Sequence, residues 1–256
     1  PKAETMTDRP VLAVEQLVLQ IGGARIIDDV SLAVADGEML GVIGPNGAGK
    51  TTLFNLISGV LPPTSGRVLV RGDDVSSLSI QRRARVGLGR TFQTSSLFAG
   101  LSARENVRLA AQVAIGGELS LLRAPRRADA ATSAAEEKLD EVGLAHHAET
   151  VAGSLSHGDK RKLEIAMLLA TDPGVILLDE PMAGVASGDV PGLVDVIRRV
   201  HTSGRTVLMV EHHMDVVLGL VDSVAVMHHG RLLAHDKPEV VMADATVQAA
   251  YLGESL

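Results

Sequence analysis

The sequence predicts an α/β domain, with a mostly parallel sheet covered by helices, antiparallel β-structure at its N-terminal end and a helical subdomain inserted part-way. Three observations predict it. Residues 11–19 and 26–34 alternate apolar and polar side chains around Gly22 and Gly23, which is the pattern of an antiparallel hairpin. Short apolar runs at 39–43, 175–178, 206–210 and 223–227 stand among helical spacings over 160–170, 190–201 and 214–220, and such alternation favours parallel strands joined by crossover helices. Alanine-rich, charged helices over 105–113 and 128–142 break that rhythm, so a helical subdomain is expected at about 100–165.

The remaining elements follow in order. The run 39–43 leads through a glycine-rich turn into a helix over 51–61, with Leu53, Ile57 and Val60 on one side. Pro62, Pro63 and Gly66 end that helix, and 67–71 forms another short strand in the antiparallel part. Residues 1–10 carry charge without an apolar core and read as a flexible lead rather than a signal peptide. That leaves 11–256 as a single domain.

Composition narrows the function. With 46% hydrophobic and 21% charged residues among 256, the chain is globular rather than disordered or fibrous. Lys and Arg number 24 against 31 Asp and Glu, a net charge of -7, which argues against a nucleic-acid partner. The absence of cysteine excludes a disulfide framework, a thiolate metal site and a cysteine nucleophile, and fits a cytoplasmic setting. No stretch of about 18 apolar residues is present to span a membrane.

Chemistry is concentrated in two segments. Gly44, Pro45, Asn46, Gly47, Ala48, Gly49, Lys50 and Thr51 satisfy G-x-x-x-x-G-K-[ST] between a strand and a helix. In such a P-loop the backbone N–H groups surround phosphate oxygens, and bulky side chains at the glycines would block the approach. Lys50 then reaches the β- and γ-phosphates, while Thr51 offers its hydroxyl to Mg²⁺. The second segment is Asp179–Glu180 at the carboxyl end of an apolar strand, where ligands of open α/β sheets collect. Asp179 suits Mg²⁺ and Glu180 suits the attacking water. Together the two segments specify a nucleoside triphosphatase.

Residues 155–166, LSHGDKRKLEIA, add a third. Ser156 and Gly158 precede a helix beginning near Asp159, which is the make-up of another anion site. One phosphate tail has no use for two cradles in one chain, so the second predicts a head-to-tail pair in which each chain closes over the nucleotide of the other.

These segments resemble the ATP-binding subunits of ABC transporters over residues 11–252. GPNGAGKTT, ending at Thr52, is similar to their Walker A segment, RTFQ with Gln93 to the Q-loop, LSHGD to the signature loop, VILLDEP to Walker B, and VEHHMD with His212 to the switch segment. The resemblance implies a P-loop NTPase fold, Mg²⁺-dependent ATP hydrolysis, and Gln93 at Mg²⁺ or the lytic water. It implies Ser156 and Gly158 against the γ-phosphate across a pair, and His212 steadying that phosphate. The implied partners are a second ATPase chain, identical or paralogous, two transmembrane permease subunits at the cytoplasmic face of the inner membrane and, indirectly, a periplasmic binding protein.

Within the family, NLISGVLPPTSGRV, GLGRTFQTSSLF, LSHGDKRKLEIAMLL, VEHHMDVV and VQAAYLGE most resemble branched-chain amino acid importers, with urea or amide importers as the related alternative. A soluble, non-transport ABC ATPase is the reading outside transport. Three positions depart from the family pattern. Ile21 stands where an aromatic usually stacks on adenine, which predicts weaker nucleotide binding. Ala186 replaces an aspartate or asparagine offered to the opposite chain, and His213 follows the switch histidine where aspartate is frequent. The pairs His146–His147 and His228–His229, and the arginines 123, 126 and 127, are expected to be surface or packing residues.

Overall fold

The computed structural model describes residues 10–91, 97–115 and 130–252. The described residues divide into two compact units.

The first unit comprises residues up to Arg90, Gly174–Glu180 and Ser203 onward. Its hairpin pairs β1 (Leu12–Ile21) with β2 (Ala24–Val34), from Leu12 opposite Val34 to Ile21 opposite Ala24. Gly22 and Gly23 turn the chain at φ 55° and 88°, where glycine carries no side-chain penalty. β3 (Met39–Ile43) follows, then α1 (Lys50–Ser58), β4 (Ser65–Val70) and a two-residue β5 (Asp73–Asp74). These strands form one antiparallel sheet in the order β2-β1-β4-β5, without β3. The helix predicted to reach residue 61 ends earlier because Gly59 adopts φ 81° and caps it. Val60 is therefore outside the helix and exposed.

α2 (Ile80–Arg85) and β6 (Leu88–Arg90) come next, and the unit resumes with β7 (Val175–Asp179) and β8 (Thr206–Val210). The last elements of this unit are β9 (Ser223–His228) and β10 (Arg231–Asp236), a short α7 (Met214–Leu218) before them, and α8 (Pro238–Ala243) and α9 (Ala245–Leu252) after. The second sheet runs β10-β9-β3-β8-β7-β6, parallel throughout except for the antiparallel edge strand β10. β3, β7 and β8 are buried along their whole length, as strands covered on both faces require. One apolar core joins both sheets through α1, whose Leu53, Phe54, Leu56 and Ile57 are fully buried.

The buried Arg83 closes the C-terminal end of α1. Its Nη1 donates to the Leu56 and Ile57 carbonyls at 2.6 Å each, Nη2 to Ser76 at 2.8 Å and Nε to Leu78 at 3.1 Å. A helix leaves its last carbonyls without intrahelical donors, and one guanidinium supplies them here.

The second unit holds α3 (Ala103–Ile115), α4 (Ala130–Glu141), α5 (His157–Leu169) and α6 (Val190–Thr202). α3, α4 and α5 pack together through small and aliphatic residues such as Val107, Ala111, Ala135, Leu139 and Leu163. Small residues allow close helix approach, which explains the alanine content. α6 buries Leu193, Val196, Ile197 and Val200, the 3–4 spacing of one helix face, and Arg199 donates to the Glu141 carbonyl at 3.3 Å.

Candidate nucleotide site

The glycine-rich turn sits at the carboxyl end of β3, and its conformation is fixed by the protein's own backbone. Gly44 has φ 146°, and a Cβ there would lie 2.1 Å from the Met227 carbonyl oxygen. At Gly44, therefore, strand β9 forbids a side chain before any phosphate approaches. Gly49 begins α1 in the left-handed region at φ 101°. Lys50 is buried, and its Nζ donates to the carbonyls of Gly44 at 2.7 Å and Pro45 at 3.0 Å. Burial lowers its pKa, while the charges of Glu180 and Asp179 act to raise it. The ammonium is thus held over the loop with two carboxylates in its field. Thr51 and Thr52 occupy the first turn of α1.

Register brings the second segment to the same sheet end. In the parallel pair β7–β8, Asp179 lies opposite Val210, and the Glu180 N–H donates to the Val210 carbonyl at 2.9 Å. Each strand therefore delivers its next residues side by side, and His212 Nε2 lies 2.9 Å from Glu180 Oε1. Glu180 adopts φ 48°, a left-handed conformation that costs a non-glycine residue on the order of 1–3 kcal/mol and concentrates at functional sites. Asp179 is buried and its Oδ2 accepts from Arg90 Nη2 at 2.8 Å. Among the predicted residues of this unit, Lys50, Thr51, Asp179, Glu180 and His212 sit at the carboxyl ends of adjacent strands or at the start of α1.

Ile21 closes the opening hairpin and is 56% exposed, the exposure of a side chain available for an apolar contact. Gln93 lies outside the described residues, as do the arginines at 123, 126 and 127. In the second unit Ser156 is the N-cap of α5: its Oγ accepts from the Asp159 N–H at 3.1 Å and donates to Asp159 Oδ2 at 3.0 Å. The helix therefore starts two residues earlier than the sequence spacing suggested. A Cβ on Gly158 would lie 2.8 Å from the Asp189 side chain, so packing within this unit also requires glycine there. Ala186 is exposed and its carbonyl accepts from the Asp189 N–H at 2.8 Å. His213 is exposed. The rings of His146 and His147 meet at a tilt with centroids 4.1 Å apart, and those of His228 and His229 edge to face at 4.2 Å; no metal-binding cluster occurs among the described residues.

The residue that sequence reasoning missed is Arg90. No signal in the sequence pointed to it, because the three-residue strand that carries it shows no period and its partner Asp179 is 89 positions away.

A lysine-bearing turn, paired carboxylates and a histidine thus meet at one end of the sheet. The model of the ABC transporter family matches residues 27–183. The chain belongs to the ABC transporter ATP-binding family. It is a P-loop NTPase that binds nucleotide and hydrolyses ATP as the ATP-binding subunit of a transporter. A second model, of branched-chain amino acid ATP-binding cassette transporters, matches 231–256. The chain is 38% identical over 253 residues to the high-affinity branched-chain amino acid transport ATP-binding protein LivG of Escherichia coli K12, covering 96% of this chain and 99% of LivG. It is 37% identical over 243 residues to the lipopolysaccharide export system ATP-binding protein LptB of the same organism, covering 95% and 97%. Among solved structures it resembles the ADP conformation of MJ1267, an ATP-binding cassette of an ABC transporter, with TM-score 0.84, 31% identity and coverage of 95% and 99%. It also resembles cbiO1 of Clostridium perfringens, part of the cbiONQ transporter complex, with TM-score 0.80, 27% identity and coverage of 96% and 95%.

Proposed function

We propose that this ABC ATPase energises the import of branched-chain amino acids, working as one of a pair of ATPase chains beneath two permease subunits. The observation that carries the substrate class is the match of residues 231–256 to the branched-chain transporter model. The body of the chain discriminates poorly, since LivG and LptB are 38% and 37% identical to it; the second reading, lipopolysaccharide export, rests on that near-equality. No helix among the described residues is long and apolar enough to cross a membrane. Attachment to the cytoplasmic face of the inner membrane therefore falls to the permeases, and solute capture to a periplasmic binding protein.

In the proposed reaction the loop N–H groups and Lys50 bind the phosphates, with Lys50 exchanging its two carbonyl acceptors for phosphate oxygens. The hydroxyl of Thr51 and the carboxylate of Asp179 are hard oxygen donors of the kind Mg²⁺ prefers, and they would hold it. Bound there, Mg²⁺ neutralises charge on the phosphate oxygens. Glu180 accepts the proton of the water that attacks the γ-phosphorus, and His212, 2.9 Å away, fixes the carboxylate's position. Ser156 and Gly158 of the partner chain complete the γ-phosphate cradle, so that ATP closes the pair and hydrolysis opens it.

Uptake of radiolabelled leucine, isoleucine and valine tests the substrate class, in cells whose only copy of the chain carries Glu180→Gln. Loss of all three uptakes with other solutes unaffected is expected. Normal leucine uptake with defective export of lipopolysaccharide would replace this reading with the second one.

A further inference from the structure

Asp179 is buried in a strand end, and a buried carboxylate needs a compensating cation. The cation hydrogen-bonded to it is Arg90, at 2.8 Å, with the two side chains 7% and 0% exposed. The guanidinium is itself braced: Nη1 donates to Asn55 Oδ1 at 2.8 Å and to Ser58 Oγ at 2.7 Å. Both acceptors stand on α1, the helix that begins with Lys50 and Thr51. One side chain thus fastens the last strand residue of β7 to the phosphate-binding helix, from a position immediately before the Gln93 segment. All of these residues belong to the first unit.

We propose that Arg90 is the resident counter-ion of Asp179, a positioning residue that competes with the divalent cation for this carboxylate and so sets how much Mg²⁺ nucleotide binding requires. The inference rests on the reading of Asp179 as a metal-holding residue. A fixed positive charge hydrogen-bonded to the carboxylate lowers the gain from bringing a divalent cation to it, because like charges repel in a poorly solvated site. The pair also compensates a buried charge while no cation is bound. Arginine suits the task better than lysine, since one planar fork satisfies Asp179, Asn55 and Ser58 together.

The test titrates Mg²⁺ against binding of a fluorescent ADP analogue, with EDTA as the metal-free reference, in the full chain and in variants. Arg90→Gln is expected to lower the Mg²⁺ midpoint by at least about tenfold, the scale of removing one unit charge from beside a divalent cation even at water-like screening, and to leave metal-free affinity within twofold. Arg90→Lys, which keeps the charge, should stay within about twofold of the parent midpoint. Should Arg90→Gln not fold, Asn55→Ala and Ser58→Ala unfasten the guanidinium without changing charge, and together should lower the midpoint about two- to threefold. A purely structural role would shift thermal stability and leave every midpoint unchanged, and that result, or a raised midpoint in Arg90→Gln, overturns the proposal. Asp179→Asn separates this from the underlying reading. If Asp179→Asn keeps the parent's Mg²⁺ dependence, Asp179 does not hold the cation and the reading itself fails. If it loses that dependence while the arginine variants match the parent, only the counter-ion role fails.

Discussion

Replacing His212 by alanine removes one side chain and one contact, the 2.9 Å hydrogen bond to Glu180 Oε1. A hydrogen bond to a charged group is worth about 1.5–3 kcal/mol. Here the two side chains are 45% and 25% exposed, so water competes for the same oxygen and about 1–2 kcal/mol is the fitting range. If that contact matters only when Glu180 receives the proton of the attacking water, the loss falls on kcat, by about 5- to 30-fold. Nucleotide binding, made by the P-loop, stays within twofold. The assay is steady-state ATP hydrolysis paired with an independent nucleotide titration. His212→Gln, which retains a donor, should recover part of the lost rate. An unchanged kcat in His212→Ala, or a Kd weakened in parallel with the rate, would refute the assignment of His212 to Glu180.

Other outcomes follow from the same contacts. Arg83→Met removes the guanidinium donor from the Ile57, Ser76 and Leu78 carbonyls and leaves the Leu56 carbonyl with the Gly59 N–H at 3.3 Å; the expected cost is about 3–5 kcal/mol, a fall in Tm of roughly 6–20 °C at this chain length, read by thermal denaturation. Ile21→Tyr offers the adenine a stacking face where the parent offers only an exposed aliphatic side chain, and stacking worth about 1–3 kcal/mol should tighten ATP binding about 5- to 140-fold. Asp28 is held below the usual carboxylate range, first by its bonds from Arg231 and then by Arg25. Its contribution to stability is present above the ordinary carboxylate pKa and is lost as pH falls below about 4; acid denaturation of Asp28→Asn should therefore depend less steeply on pH than that of the parent.

What the sequence made legible was local. The opening hairpin follows from period-two alternation and a Gly-Gly turn, and the phosphate loop and the β7 carboxylates follow from contiguous residues. Two-residue β5 and three-residue β6 are too short to show a period and escaped it, as did α2 and the closing β10, α8 and α9. So did every feature that depends on residues distant in sequence. The clash that makes Gly44 obligatory comes from Met227, and the partner of Asp179 lies 89 positions away at Arg90. Composition carries no record of either. The meeting of Glu180 with His212 is intermediate: the motifs suggested both residues, but their proximity depends on β7 and β8 being neighbours in register.

The claim on which the mechanism turns is that ATP is enclosed between two chains, with the P-loop of one and Ser156 and Gly158 of the other. Light scattering of Glu180→Gln with Mg²⁺ and saturating ATP measures this directly. The account predicts a molar mass near twice that of one chain, returning to the single-chain value when ATP is replaced by ADP. A single-chain mass at saturating ATP, with nucleotide demonstrably bound, would contradict it.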